Sequence, residues 1–114
     1  MFVRIYTGPD AESHFEDMTA GLVGDRTGPT KLQAAEAISF TRQKPGHFSG
    51  WHTAPRRQHV ISIAGEVEIV IGDGTSMHFK AGDVLLAEDL TGHGHTTRVI
   101  GDSMRISAMV PLRD

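Results

Sequence analysis

The residues best suited to chemistry are histidines. The chain has seven of them and no cysteine, which excludes disulfides, thiolate nucleophiles and Cys-ligated zinc or iron–sulfur sites. Metal ligation or proton transfer must use His, Asp, Glu and their polar neighbours. Two stretches concentrate these: Trp51-His52-Thr53-Ala54-Pro55-Arg56-Arg57-Gln58 and Asp89-Leu90-Thr91-Gly92-His93-Gly94-His95. Residues two apart on a strand share a face, so His52, Ala54, Gln58 and Val60 can point into one interior, with Ser62 continuing that face. His93 and His95 are also two apart. On an extended chain both face inward, and with His52 and Gln58 they make a site of three imidazoles and one amide. In the alternative, Gly92 and Gly94 form an irregular loop that turns one histidine inward and leaves the other solvated. His59 should face outward, and His14, His47 and His78 read as surface or edge residues.

Other side chains around these stretches admit two readings. Arg56, Arg57 and Arg98 can hold an anionic substrate, since guanidinium recognises carboxylates bidentately, or can be solvated charges paired with Glu66, Glu68 or Asp89. Trp51 can cap the mouth of the site or serve as an aromatic at the core edge. Glu88 and Asp89 suit general acid–base work but equally suit fixing a loop through side-chain hydrogen bonds. The expected substrate pocket is Trp51, Arg57, Val60 and Ser62. Gly72-Asp73-Gly74-Thr75 lacks the spacing and lysine of a phosphate loop, and no Gly-x-Ser-x-Gly elbow occurs.

The elements that must position these residues read as short strands. Residues 2–7, 58–64, 67–71, 75–80, 84–88, 96–100 and 104–110 are β-branched or alternating runs, and 34–42 alternates late, with Ile38 and Phe40 on one side. Residues 10–18 fit one helical turn, with Ser13 and Glu16 spaced as a capping box, or an irregular edge strand. Residues 21–31, with Gly21, Gly24, Gly28 and Pro29, read as loop. Gly72-Asp73-Gly74 is a hairpin turn. Strand-like runs every eight to twelve residues separated by glycine turns indicate a sandwich or barrel.

Composition agrees. The chain has 114 residues, 39% hydrophobic and 22% charged, with mean hydropathy −0.21; this suits one globular domain rather than a disordered or membrane-spanning chain. Thirteen glycines without a three-residue period, against five prolines, point to tight turns. A net charge of −3 and a pI of about 6.1 argue against a nucleic-acid partner. The N-terminus has no long apolar stretch of a signal peptide, and no apolar run is long enough to span a bilayer.

With these residues in place, the chain resembles the cupins. Their first motif is a glycine, five residues, His-x-His, three or four residues, Glu, six residues, Gly. Here Gly46 precedes His52 by that spacing, Ala54 holds the second histidine position, Gln58 the glutamate position, and Gly65 closes the frame. In the second motif Gly92 and His95 fit, Leu90 stands at the proline position and Val99 at the terminal asparagine position, after a Gly82-Asp83-Val84 turn. The resemblance covers residues 46–99 and is close to a small group of single-domain cupin-like proteins.

The resemblance implies an all-β fold, a double-stranded β-helix or jelly-roll barrel. One domain is expected over 1–114, with N-terminal strands and loop over 1–45 and the barrel core over 46–110. It implies a small-molecule-binding protein, with two forms left open. One is a metal-dependent dioxygenase, isomerase or lyase that binds Fe, Mn, Ni, Cu or Zn through His52, Gln58, His95 and His93. The other is a metal-free binding or sensing module, because Ala54 removes one donor and Gln58 lacks the carboxylate charge. A small-molecule ligand, a cytoplasmic location and a homodimer through outward-facing Ile61 and Ile63 complete the expectations, with no nucleic-acid or membrane partner.

Overall fold

The computed structural model of the protein describes residues 1–22 and 27–113. Among these, the elements in chain order are β1 (Phe2–Thr7), β2 (Ser13–Asp17), a helical turn α1 (Thr19–Leu22), β3 (Ser39–Gln43), β4 (Phe48–His52), β5 (Gln58–Ala64), β6 (Glu66–Val70), β7 (Ser76–Phe79), β8 (Val84–Glu88), β9 (His95–Ile100) and β10 (Arg105–Pro111). They form a six-stranded sheet in the order β2-β1-β8-β5-β10-β3 and a four-stranded sheet in the order β4-β9-β6-β7. All pairings are antiparallel except β1 with β8. No helix of the described residues is long and apolar enough to cross a membrane.

Alternation builds the core. Val3 and Ile5 of β1, Val67 and Ile69 of β6, Phe79 of β7, and Leu85 and Ala87 of β8 are buried in one cluster. Every second residue of a strand faces the opposite sheet, and burying each large aliphatic or aromatic side chain contributes about 1.5–3 kcal/mol. The expected inward face of β5 is present: Gln58 and Ser62 are buried, Val60 and Ile61 are half-buried, and Ile63 is exposed.

Several expectations are corrected. Of the two readings of residues 10–18, the edge strand is the one present, Ser13–Asp17 paired with β1; the helical turn is not, and no capping box forms, because the Ser13 hydroxyl donates to Asp89 Oδ2 instead. The strand expected over 34–42 is confined to Ser39–Gln43, preceded by an isolated bridge between Ala35 and Leu112. Gly21 lies in α1 rather than in a loop, and positions 23–26 of the expected loop, Gly24 among them, lie outside the described residues. His52 and Gln58 do not share one strand. His52 ends β4 in one sheet and Gln58 begins β5 in the other. Pro55 in the intervening loop cannot donate to a ladder, so the chain crosses between sheets there.

His59 faces away from the interior, as expected, yet it is covered. Its Nε2 lies 2.6 Å from Gln33 Oε1, its ring meets Phe2 edge-on at 5.7 Å, and Nδ1 is buried without a partner among the described residues. Burial pushes this imidazole below its ordinary pKa; Arg57 adds to the shift and Glu88 opposes it. The unfolded chain therefore takes up a proton here more readily than the folded one. The stabilisation is present above the unfolded value of about 6.5 and is lost as pH falls from there through the folded value. The urea midpoint of the wild type is expected to drop between about pH 7.5 and about pH 5.5, and His59→Gln is expected to flatten that drop. Equal slopes in both proteins would remove His59 as the cause.

Candidate functional site

Between the sheets lies a cavity of about 220 Å³. Its apolar wall includes Val60, Val67, Ile69, Leu85, Ala87 and Met109, and its polar groups are Gln43, Ser49, His52, Gln58, His95, Thr97 and Arg105. Val67, Ile69, Leu85 and Ala87 also belong to the buried core cluster, so the cavity is walled on one side by the hydrophobic core. His52 and Pro55 are exposed, whereas Gln58, His95 and Arg105 are buried; the cavity thus opens at the loop between β4 and β5.

His95 begins β9 opposite His52 at the end of β4, and the two rings meet edge to face with centroids 4.5 Å apart. Gly94 sets this approach. Its φ is +80°, and a Cβ there would lie 2.1 Å from the His52 carbonyl oxygen. Behind His95, its Nδ1 lies 2.5 Å from Asp89 Oδ2, the same oxygen that accepts the Ser13 hydroxyl at 2.7 Å. Asp89 is fully buried. A carboxylate oxygen accepts, which places the proton on Nδ1 and leaves Nε2 of neutral His95 as an acceptor. His52 is set in the same way: Nδ1 donates to the Gly50 carbonyl at 2.6 Å, again leaving Nε2.

Of the expected metal-site residues, His52, Gln58 and His95 line the one cavity. His93 does not join them. Its ring stacks on Trp51 at 4.0 Å, and Nδ1 lies 2.8 Å from Glu12 Oε2. Gly92 and Gly94 both have positive φ, so the chain there is not extended and residues 93 and 95 do not share a face. Trp51, expected in the pocket, goes with His93 to the outer surface and is exposed.

Arg57 is likewise corrected. Its Nε donates to Glu88 Oε2, while Arg4 Nε donates to Glu88 Oε1 at 2.6 Å, so Glu88 ties β1 to the start of β5. Burial works to raise the Glu88 carboxyl, but the hydrogen bonds from Arg57 and Arg4 outweigh it and hold the group below the ordinary carboxylate value. Arg98 lies over the Phe48 ring at 4.4 Å. Val60 lines the cavity, and Ser62 stands behind it, its hydroxyl accepting from Arg105.

The donors that converge are two imidazoles and one amide. Ala54 lines the cavity without a donor atom, Asp89 is engaged on the far side of His95, and among the described residues no three His, Asp or Glu side chains are grouped to hold a metal. These residues do not fit the three-imidazole, one-carboxylate set. Gln43, Thr97 and Arg105 are cavity residues not anticipated from the sequence. The available signal for Arg105 was an isolated charge two residues before Ser107 and four before Met109 in an otherwise apolar strand.

No family model matches the chain, and no curated protein matches it significantly. Among solved structures it is similar to a Klebsiella pneumoniae protein with a double-stranded β-helix domain, at 24% identity over 69% of this chain and 73% of that one, with TM-score 0.52. It is similar to a Cupin 2 conserved barrel domain protein from Salinispora arenicola, at 27% identity over 64% of this chain and 59% of that one, with TM-score 0.52. It also resembles a sugar phosphate isomerase from a cupin superfamily of Silicibacter pomeroyi, at 19% identity over 92% of this chain but 61% of that one, with TM-score 0.55. Two facing sheets, the spacing of Gly46, His52 and Gly65, and these likenesses agree: the chain has the double-stranded β-helix fold of the cupins, with a degenerate first motif.

Proposed function

We propose that this chain is a small-molecule-binding cupin that takes its ligand into the cavity between the sheets, with its own side chains rather than a metal as the recognition groups. The supporting observation is the cavity itself, a largely apolar concavity with a few convergent polar groups, which is the usual character of ligand sites. Asp89 behind His95 and Gly50 behind His52 present both Nε2 atoms as acceptors to whatever enters. The test is a two-dimensional NMR screen of small polar compounds against labelled protein. Binders are expected to shift resonances of cavity residues, and Val60→Phe, which fills the cavity, is expected to abolish the shifts while leaving a dispersed spectrum. Binders that persist in Val60→Phe would place the site elsewhere.

The metal-dependent reading needs a donor at position 54 and a carboxylate charge at position 58. The double substitution Ala54→His with Gln58→Glu is expected to retain about one equivalent of zinc or manganese per chain after desalting, against a small fraction for the wild type, measured by elemental analysis. Stoichiometric metal in the wild type, lost in His52→Ala, would overturn the metal-free reading. No gain in the double variant would show that positions 52, 54, 58 and 95 do not converge.

A further inference from the structure

We propose that the ligand is a small organic carboxylate whose charged end is held by Arg105, an assignment that rests on the cavity being a ligand site. Arg105 opens β10 and is 4% exposed. Among the described residues its side chain makes one hydrogen bond, from Nη1 to the Ser62 hydroxyl at 2.9 Å. Among the described residues no carboxylate pairs with it: Glu88 is held by Arg4 and Arg57, Glu16 by Arg4 and Asp89 by His95. A guanidinium keeps its charge in proteins and carries five N–H donors, so a buried cation with most of its donors unused lines the cavity. Desolvation lowers its pKa and no neighbouring charge opposes that.

An isolated buried charge is strongly unfavourable unless paired, and the partner this one lacks is an anion. The planar fork matches a carboxylate with two parallel hydrogen bonds. Gln43, the register partner of Arg105 on β3, and Gln58 also line the cavity and bring amide donors. A single cation among apolar walls balances a monoanion; a phosphate dianion would leave a charge uncompensated. The volume of about 220 Å³ falls below the roughly 300 Å³ at which sites for drug-sized ligands begin, which points to an acid of few carbons. The free Nε2 atoms of His52 and His95 suit a hydroxyl elsewhere on the same molecule.

The test uses labelled full-length protein titrated with lactate, propanoate, the neutral propanamide and inorganic phosphate, followed at the arginine Nε–Hε and backbone resonances. The carboxylates are expected to shift the Arg105 Nε–Hε signal saturably, with propanamide at least about tenfold weaker. Arg105→Met is expected to lose carboxylate binding and to unfold at a higher temperature than the wild type, because an apolar side chain replaces an unpaired buried charge. Arg105→Lys keeps the charge without the fork and is expected to bind at least about tenfold more weakly; it carries the comparison if Arg105→Met does not fold. A lower unfolding temperature for a folded Arg105→Met would make the residue structural and overturn the assignment. Tighter phosphate binding would overturn the monoanion. Propanamide or other neutral compounds shifting cavity resonances while carboxylates do not would overturn the carboxylate assignment and leave the cavity as a ligand site. Silence from every compound, charged and neutral, would overturn both.

Discussion

Gly94→Ala is expected to destabilise the protein by about 2–5 kcal/mol, read as a fall in the urea midpoint at constant slope. Two effects add. A left-handed backbone costs an L-residue roughly 1–2 kcal/mol, and Gly94 sits at φ +80°. The new Cβ would also lie 2.1 Å from the His52 carbonyl oxygen and 2.5 Å from its carbon. Both are backbone atoms, so relief requires β4 and β9 to separate where His52 faces His95; forced overpacking of that kind costs about 1–3 kcal/mol. Gly74→Ala is the control. Its φ is +88°, but nothing lies within 4 Å of the added Cβ, so only the conformational cost of roughly 1–2 kcal/mol applies. Similar losses in the two variants would mean that the β4–β9 contact at Gly94 is not as close as described. Gly94→Ala should also weaken ligand binding, since it moves the two imidazoles apart.

Asp89→Ala is the second large effect, expected at roughly 2–6 kcal/mol, about 1–3 kcal/mol for each of two buried donors left without an acceptor. The Ser13 hydroxyl and the His95 Nδ1–H both depend on Asp89 Oδ2, and all three residues are buried. Removing the carboxylate leaves two donors unsatisfied. Asp89→Asn is expected to cost less, about 1–3 kcal/mol, because the amide oxygen can accept from both donors. The amide NH2 would then replace Oδ1, which has no partner among the described residues, as a buried donor without an acceptor. A nitrogen-detected NMR spectrum of the His95 ring separates positioning from plain stability. The wild type is expected to hold the Nδ1–H tautomer, and Asp89→Ala to release it to a mixture with Nε2–H. An unchanged tautomer in a folded Asp89→Ala would show that Asp89 does not orient His95.

How much of this was legible in the sequence depends on the range of the interaction concerned. The rhythm of short runs and glycine turns announced the strands, because alternation is a property of a few neighbouring residues. The inward set Gln58, Val60 and Ser62 followed from the same alternation and is present in β5. The spacing from Gly46 through His52 to Gly65 carried the resemblance to the cupins, and His52, Gln58 and His95 do line one cavity. The spacing was right although the stated geometry was not: a loop with Pro55, rather than one continuous strand, joins His52 to Gln58 across the two sheets.

The sequence by itself determined an all-β chain, the absence of thiol chemistry, and a first motif short of one metal donor at Ala54 and of a carboxylate charge at Gln58. Four matters were decided only by the tertiary structure. His93 and His95 are two residues apart, but two positive φ values send them to opposite sides. Asp89 acquires its role from Ser13, 76 residues away, and Arg57 from Glu88, 31 residues away. Arg105 becomes a cavity cation because β10 lies between β5 and β3, placing it against Ser62 and Gln43 from distant parts of the chain. The isolated charge among the apolar residues of this strand marked Arg105 as unusual, but not which interior it faces. That depends on which strands flank it, and long-range strand pairing leaves no mark in the neighbouring residues.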